Sequence, residues 1–506
     1  MNREYKLLIY IYSVRIYTAL VTIFLIPILI GEIGLEAYGL IGFFAVLQAC
    51  LSILDAGLGG VITREAIVSR KNQGTYKKFS ILYKKIIIFF IIVSLLLVTC
   101  GWWVSEQYST SWLNTKLDKG VVVFCTTVMF WVFALRYMQG PFRSILLSNE
   151  SQIILTTINL FTITLSQPLT IFLMKYLDEG IKFYFLMQLI SSAIGCISMV
   201  LYSEKIRRKV LFLCPLEEDS IKSEDTSVRK LIVFALQLST LSILWVLVNQ
   251  SDKLALTKYS TLTEYGIYSV AVSIISVLAI LSDPLNQYLQ PRLTRYYHQN
   301  NLKEYSKLFS GALKFICILT IPLSVFLFFY GKDVLFIWSG DETLSIKAAK
   351  YLPWLFIGGV FSIYSNFVFL LLYSFGELKR HTIVYALFSL FVIPANVFLA
   401  KQYLGQGTSI FFGISSMFLF LLWGGYNFAK FFVKGLRVIY VYIIPLFLVE
   451  IIYFKTSTAF PYNHTVKWTL FIQLFSVGLV GLALAIIYCK LVDKKNSQVI
   501  LKIVDK

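Results

Sequence analysis

Apolar residues run along this chain in blocks of about 20, broken by short charged or Gly/Pro stretches, and a helix of that length crosses about 30 Å of hydrocarbon. The pattern predicts fourteen helices, at 7–30, 39–62, 83–105, 120–147, 152–176, 181–203, 229–257, 265–290, 308–331, 350–376, 381–402, 406–430, 438–455 and 467–490. The fourth, seventh and tenth are long enough to tilt or to project past a bilayer, and the thirteenth is short. The first block has no small-residue cleavage pattern before Glu32, so it is expected to stay as a helix. The expected fold is all-α and integral to a membrane.

Composition agrees. Of 506 residues 58% are apolar and 14% charged, against roughly 25% charged in a soluble domain. A water-soluble fold is excluded, and the loops are too short to hold a soluble catalytic domain. The seven cysteines have neither CxxC spacing nor histidine neighbours and read as packing residues. No metal site, cofactor or catalytic residue is expected.

Lys and Arg decide orientation, since acidic residues count for little in topology. With a cytoplasmic N-terminus, the inner loops and tails hold 31 of the 46 basic residues and the outer loops 11; Arg15, Arg136, Lys253 and Lys314 fall inside spans. Both termini are therefore expected to be cytoplasmic. The net charge of +19 is spread over those inner loops, where anionic membrane lipids attract it, and it does not point to nucleic acid.

Two segments 227 residues apart begin alike, Leu35-Glu36-Ala37-Tyr38-Gly39-Leu40 and Leu262-Thr263-Glu264-Tyr265-Gly266-Ile267. Each opens a predicted helix and is followed by an acid and a base nine residues apart, Asp55 with Arg64 and Asp283 with Arg292. Two matches in order favour duplication. Six helices per unit is an even number, so both units insert the same way round, related by an axis along the membrane normal. The expected organisation is an N-terminal lobe at 1–204, a cytoplasmic linker at 205–228, a C-terminal lobe at 229–430, and two added helices with a tail at 431–506.

Charges at membrane depth cost about 2.5–3.5 kcal/mol each on insertion scales, so they normally face protein or a hydrated cavity. In the first helix Tyr12, Arg15, Thr18 and Thr22 share one face of an apolar segment. A guanidinium there could hold a phosphate or pyrophosphate through two oxygens; the competing reading is an Arg that pairs with an internal acid or reaches to an interface. Arg136, Gln139 and Arg143 form a basic face in the fourth helix, able to receive an anionic headgroup or to serve as a positive anchor. The seventh helix aligns Ser242, Trp245, Asn249 and Asp252, with Lys253 adjacent; the eighth aligns Ser269, Ser273, Ser276, Asp283, Gln287 and Gln290. Such faces suit sugar hydroxyls, or else interhelical hydrogen bonding. Asp252 and Lys253 read as an ion pair or a coupling site, and Asp55 and Asp283 as gate partners of Arg64 and Arg292 or as caps. Lys314 is expected to reach toward headgroups.

Glu36-Ala37-Tyr38-Gly39, Asp55-Ala56-Gly57-Leu58-Gly59 and Thr63-Arg64-Glu65, with Asp252-Lys253-Leu254 and Glu264-Tyr265-Gly266-Ile267-Tyr268-Ser269-Val270-Ala271 in the second unit, resemble Wzx-type polysaccharide flippases. These belong to the multidrug/oligosaccharidyl-lipid/polysaccharide exporter superfamily. The resemblance implies movement of an undecaprenyl-diphosphate-linked oligosaccharide across a bacterial inner membrane by alternating access, coupled to protons or sodium. Such a flippase works beside a polysaccharide polymerase and a chain-length regulator. The alternatives are a lipid II flippase or a multidrug exporter of the same superfamily. The exporter is expected to line its cavity with acids rather than arginines. A membrane polysaccharide polymerase would need a longer outer loop.

Overall fold

The computed structural model describes residues 3–50, 58–71, 73–214, 225–433, 435–459, 467–495 and 502–503. It is built of helices. In order these are α1 (Arg3–Ala49), α2 (Leu58–Val68), α3 (Gln73–Trp112), α4 (Lys119–Ser148), α5 (Gln152–Thr164), α6 (Thr170–Leu177), α7 (Ile181–Leu213), α8 (Asp225–Tyr259), α9 (Leu262–His298), α10 (Leu302–Ser339), α11 (Glu342–Ala349), α12 (Leu352–Ser374), α13 (Leu378–Leu419), α14 (Gly425–Phe431), α15 (Ile444–Ser457) and α16 (Lys467–Lys495). Among the described residues eleven helices are long and apolar enough to cross a membrane. Each of the fourteen predicted runs falls in helix, apart from turn residues at both ends of the tenth, and in the second Cys50, a turn, and 51–57, which lie outside the described residues. The lower count arises because Ser13–Ala49 and Leu378–Phe431 each carry two runs end to end, while α8 is not among the eleven.

Those junctions have local causes. The chain turns sharply at Gly34, whose φ of 80° suits a residue without a Cβ, and at Leu404, whose φ of 52° is strained for a leucine. The prolines do not interrupt the helical backbone: Pro27, Pro322 and Pro394 lie inside continuous helix, and Pro168 sits in a π-turn, Leu165–Leu169, joining α5 to α6. The helices also outrun their hydropathy. α3 starts ten residues before its apolar run because Tyr76, Phe79 and Tyr83 form a buried stripe at helical spacing. That stripe packs in one cluster with Ile62 and Ala66 of α2, Phe142 and Ile145 of α4, Leu155 and Ile158 of α5, and Met199 of α7.

By their internal contacts the residues form two units, Met1–Gly266 with Tyr385–Ile393, and Ile267–Val384 with Pro394–Lys506. In the first, α1 and α5 run in parallel, tied by Tyr10 to Thr157 at 2.9 Å and, seven residues on in both helices, by Tyr17 to Thr164 at 3.1 Å. The second has an aromatic core in which Phe309 meets Phe367, Phe428 and Phe432 within about 6 Å, edge-on to the first two. There α16 is pinned to α10 by an ion pair, Lys314 Nζ to Asp493 at 2.6 Å, with the Tyr442 hydroxyl donating to the same carboxylate. Lys314 therefore meets a protein carboxylate rather than reaching to headgroups alone. A two-residue strand β1 (Phe432–Val433) pairs antiparallel with β2 (Lys502–Ile503).

Candidate functional site

Arg15 lies on the exposed surface of α1, with no ion pair or side-chain hydrogen bond among the described residues. Tyr10 and Tyr17 turn the same face of α1 toward α5. At 100° per residue Arg15 stands about 200° from Tyr17, and Thr18 and Thr22 about 100° and 140°, so the stripe faces away from α5. Thr18 and Thr22 donate to the carbonyls of Arg15 and Thr18, both at 2.8 Å, which satisfies their hydroxyls within the helix. The side chain of Tyr12 lies outside the described residues.

Arg136 takes a different place. Its Nε donates to Ser192 at 3.2 Å and its two terminal nitrogens to Gln48 at 2.5 Å and Gln188 at 3.1 Å. The ring of Phe44 lies 5.6 Å from the guanidinium. Every partner is neutral. The basic face predicted for α4 divides accordingly: Arg136 and Gln139 turn inward to α7, where Gln139 donates to the Ser192 carbonyl at 3.1 Å, whereas Arg143 is exposed. Beside Arg136 lies a cavity of about 230 Å³ bounded by α4, α5, the π-turn and α7. Sequence reasoning missed Gln48 and Gln188; amides set in apolar runs were the available signal.

Asp252 and Lys253 form a salt bridge at 3.2 Å, and Lys253 also donates to the Asn249 carbonyl at 2.6 Å. Asn249 donates to the Trp245 carbonyl at 2.8 Å, and Ser276 to the Ser273 carbonyl at 2.5 Å. Asp55 and the side chains of Arg64, Asp283 and Gln287 lie outside the described residues. Arg292 is exposed and stacks on Tyr288, with 3.8 Å between guanidinium and ring centroid.

The two repeat motifs meet. A Cβ on Gly39 would strike the Leu262 carbonyl oxygen, and a Cβ on Gly266 the Leu35 carbonyl oxygen. Leu35 and Leu262 are themselves the equivalent first residues of the two motifs, so the contact is reciprocal. The loop after α3 clasps the same place. Its Asn114 carbonyl accepts from the Leu262 amide at 2.8 Å, while Glu36 accepts from the Thr115 hydroxyl at 2.8 Å and the Lys116 amide at 2.6 Å. Trp112 donates to Thr257 at 3.0 Å, and Lys258 lies 5.1 Å from the Trp112 ring.

Comparison places these features in a family. The family model described as polysaccharide biosynthesis protein matches residues 6–297, and the one described as MatE matches 241–398. A search of curated proteins gave no match. Among solved structures, the lipid II flippase MurJ in an inward closed conformation is similar at TM-score 0.66 and 14% identity, over 96% of this chain and 99% of that one. An inward-facing multidrug resistance MATE family transporter of the MOP superfamily is similar at 0.61 and 13%, over 83% and 98%. The eukaryotic MATE transporter AtDTX14 is similar at 0.56 and 15%, over 94% and 99%. At these identities the likeness is one of fold, while the first family match covers more than half of the chain. The chain is a multi-pass membrane protein of the polysaccharide biosynthesis protein family, within the multidrug/oligosaccharidyl-lipid/polysaccharide superfamily of flippases and transporters.

Proposed function

We propose that this protein is a flippase for undecaprenyl-diphosphate-linked oligosaccharide repeat units in a bacterial inner membrane, with both termini cytoplasmic. It works by alternating access and draws on a proton or sodium gradient. The observation that carries this reading is Arg15, an exposed guanidinium in the N-terminal part of an apolar helix with no carboxylate partner among the described residues. A permanent, bidentate cation at that depth suits a diphosphate headgroup in a partly dehydrated passage. Tyr12, Thr18, Asn249, Ser276 and Gln287 supply hydroxyls and amides for the glycan, and the polyprenyl tail stays in lipid. The backbone contact at Gly39 and Gly266, with its clasp, closes the predicted outer end. Asp55, Arg64, Asp252, Lys253, Asp283 and Arg292 belong to gating or coupling.

Complementation tests this. Arg15→Ala, expressed at the wild-type level, should fail to restore surface polysaccharide in a strain lacking its own flippase, and Arg15→Lys should restore it partly. Full restoration by Arg15→Ala removes Arg15 from the mechanism. Chemical analysis of the lipid that accumulates on depletion separates the readings: a lipid-linked repeat unit supports this one, and lipid II supports the peptidoglycan alternative.

A further inference from the structure

The cavity beside Arg136 carries polar groups that the proposed glycan path does not use. A guanidinium carries five N–H groups. Three of those of Arg136 are used on Ser192, Gln48 and Gln188, and the other two have no partner among the described residues. Gln139 spends one amide hydrogen on the Ser192 carbonyl and keeps the second. Asn159, at the exposed edge of the cavity, donates to nothing described, and the Ser192 hydroxyl accepts from Arg136 while its own hydrogen is unspent. The other hydroxyls are committed: Thr162, Ser166 and Ser191 donate to the carbonyls of Ile158, Ile163 and Thr162. Among the described residues no carboxylate lines the cavity. It is therefore a polar hollow with one fixed positive charge and a surplus of donors, which is the complement of an anion.

Size narrows the choice. At about 30 Å³ per water, 230 Å³ holds roughly eight waters, or one small anion with part of its hydration. Pockets for drug-sized organic ligands run from about 300 to 1,000 Å³, and an oligosaccharide needs more. A π-turn forms one wall at Ser166, whose carbonyl accepts from Gln188 at 3.1 Å, and such turns are frequent where helices have been adapted to a site. We propose that this cavity binds one small inorganic anion, of chloride or phosphate size, as the counter-charge to Arg136. The cavity is lined by α4, α5, the π-turn and α7, with Gln48 of α1 helping to hold Arg136, and the proposal holds whatever the protein carries.

The full-length protein in nanodiscs of neutral lipid tests it. Its thermal midpoint is titrated with sodium chloride, sodium phosphate and sodium gluconate at constant ionic strength. The expected result is a saturable upward shift with chloride or phosphate and a smaller one with gluconate, whose carboxylate trails a bulky hydroxylated chain, together with one bound radiolabelled anion per chain. Arg136→Gln should abolish binding. Asn159→Asp supplies a tethered carboxylate at the cavity edge, so this variant should be stable in gluconate and indifferent to added chloride; it decides the matter if Arg136→Gln does not fold. Equal midpoints in all three salts overturn the proposal, as does an unchanged shift in both variants. A shift given only by a polyprenyl diphosphate lipid added to the nanodisc overturns it too, and assigns the cavity to the cargo path.

Discussion

Gly39 and Gly266 face one another, with the Gly39 amide nitrogen 3.4 Å from the point a Gly266 Cβ would occupy. Each also abuts the carbonyl oxygen of the residue that opens the other's motif. Equivalent positions of the two similar segments thus touch in a reciprocal way. At Gly39 the Leu262 side chain also lies 2.9 Å from the point a Cβ would occupy, and a side chain at either position must push a carbonyl aside.

Alanine at either glycine is therefore expected to destabilise the protein by about 1–3 kcal/mol, the usual cost of overpacking. Both substitutions open the same seam. The double variant should fall well short of the sum of the two single effects, a coupling readable from thermal unfolding of the three variants in one detergent.

Asp252 and Lys253 expose only 4% and 19% of their side chains. Removing one partner of a withdrawn ion pair strands the other, at about 3–5 kcal/mol for full burial. Asp252→Asn should sit at the lower end, since Lys253 keeps its bond to the Asn249 carbonyl. Replacing both residues by apolar ones should cost much less. In vesicle assays Asp252→Asn is expected to lower transport more than Asp55→Asn, and equal indifference to both would discard them as coupling sites.

Glu450 of α15 is fully buried, and neither carboxylate oxygen has a hydrogen-bond partner among the described residues. A carboxyl that gives up water and gains no bond is a cost that an apolar side chain of similar length avoids. Glu450→Met should raise stability by about 1–3 kcal/mol, visible as a higher thermal midpoint. A loss of transport in that stabler variant would show that the acid is kept for function.

Asp341, in the turn before α11, caps that helix. Its carboxylate accepts from the Thr343 hydroxyl and amide, both at 2.8 Å, and from the Leu344 amide at 3.1 Å. The Thr343 hydroxyl first, and then the two amides, hold this carboxyl below its usual range. The cap is present above the ordinary aspartate value, near 3.9, and is lost as pH falls through the lower folded value. Asp341→Ala should cost about 1 kcal/mol at neutral pH, and the difference from wild type should shrink only in strong acid, as unfolding curves at the two pH values would show.

The spans were legible because a bilayer demands about 20 apolar residues at a time and little else. Extensions beyond it were not: Tyr76, Phe79 and Tyr83 extend α3 through an amphipathic stripe that hydropathy averages away. Local spacing also found Arg15 and the adjacent pair Asp252 and Lys253. It could not find the partner of Lys314, because Asp493 lies 179 residues away, nor the neutral cradle of Arg136, drawn from α1 and α7. Pairing across a bundle is a property of packing, and one-dimensional periodicity carries no trace of it.

The glycine seam also bears on ancestry. Because the nearest wall at each glycine is a carbonyl, joined at Gly39 by the Leu262 side chain, drift at positions other than these leaves the fit intact so long as two hydrogens stay where a methyl cannot go. Two such segments can thus diverge almost everywhere else and still fit along the same line. What survives to be read is a very short fingerprint.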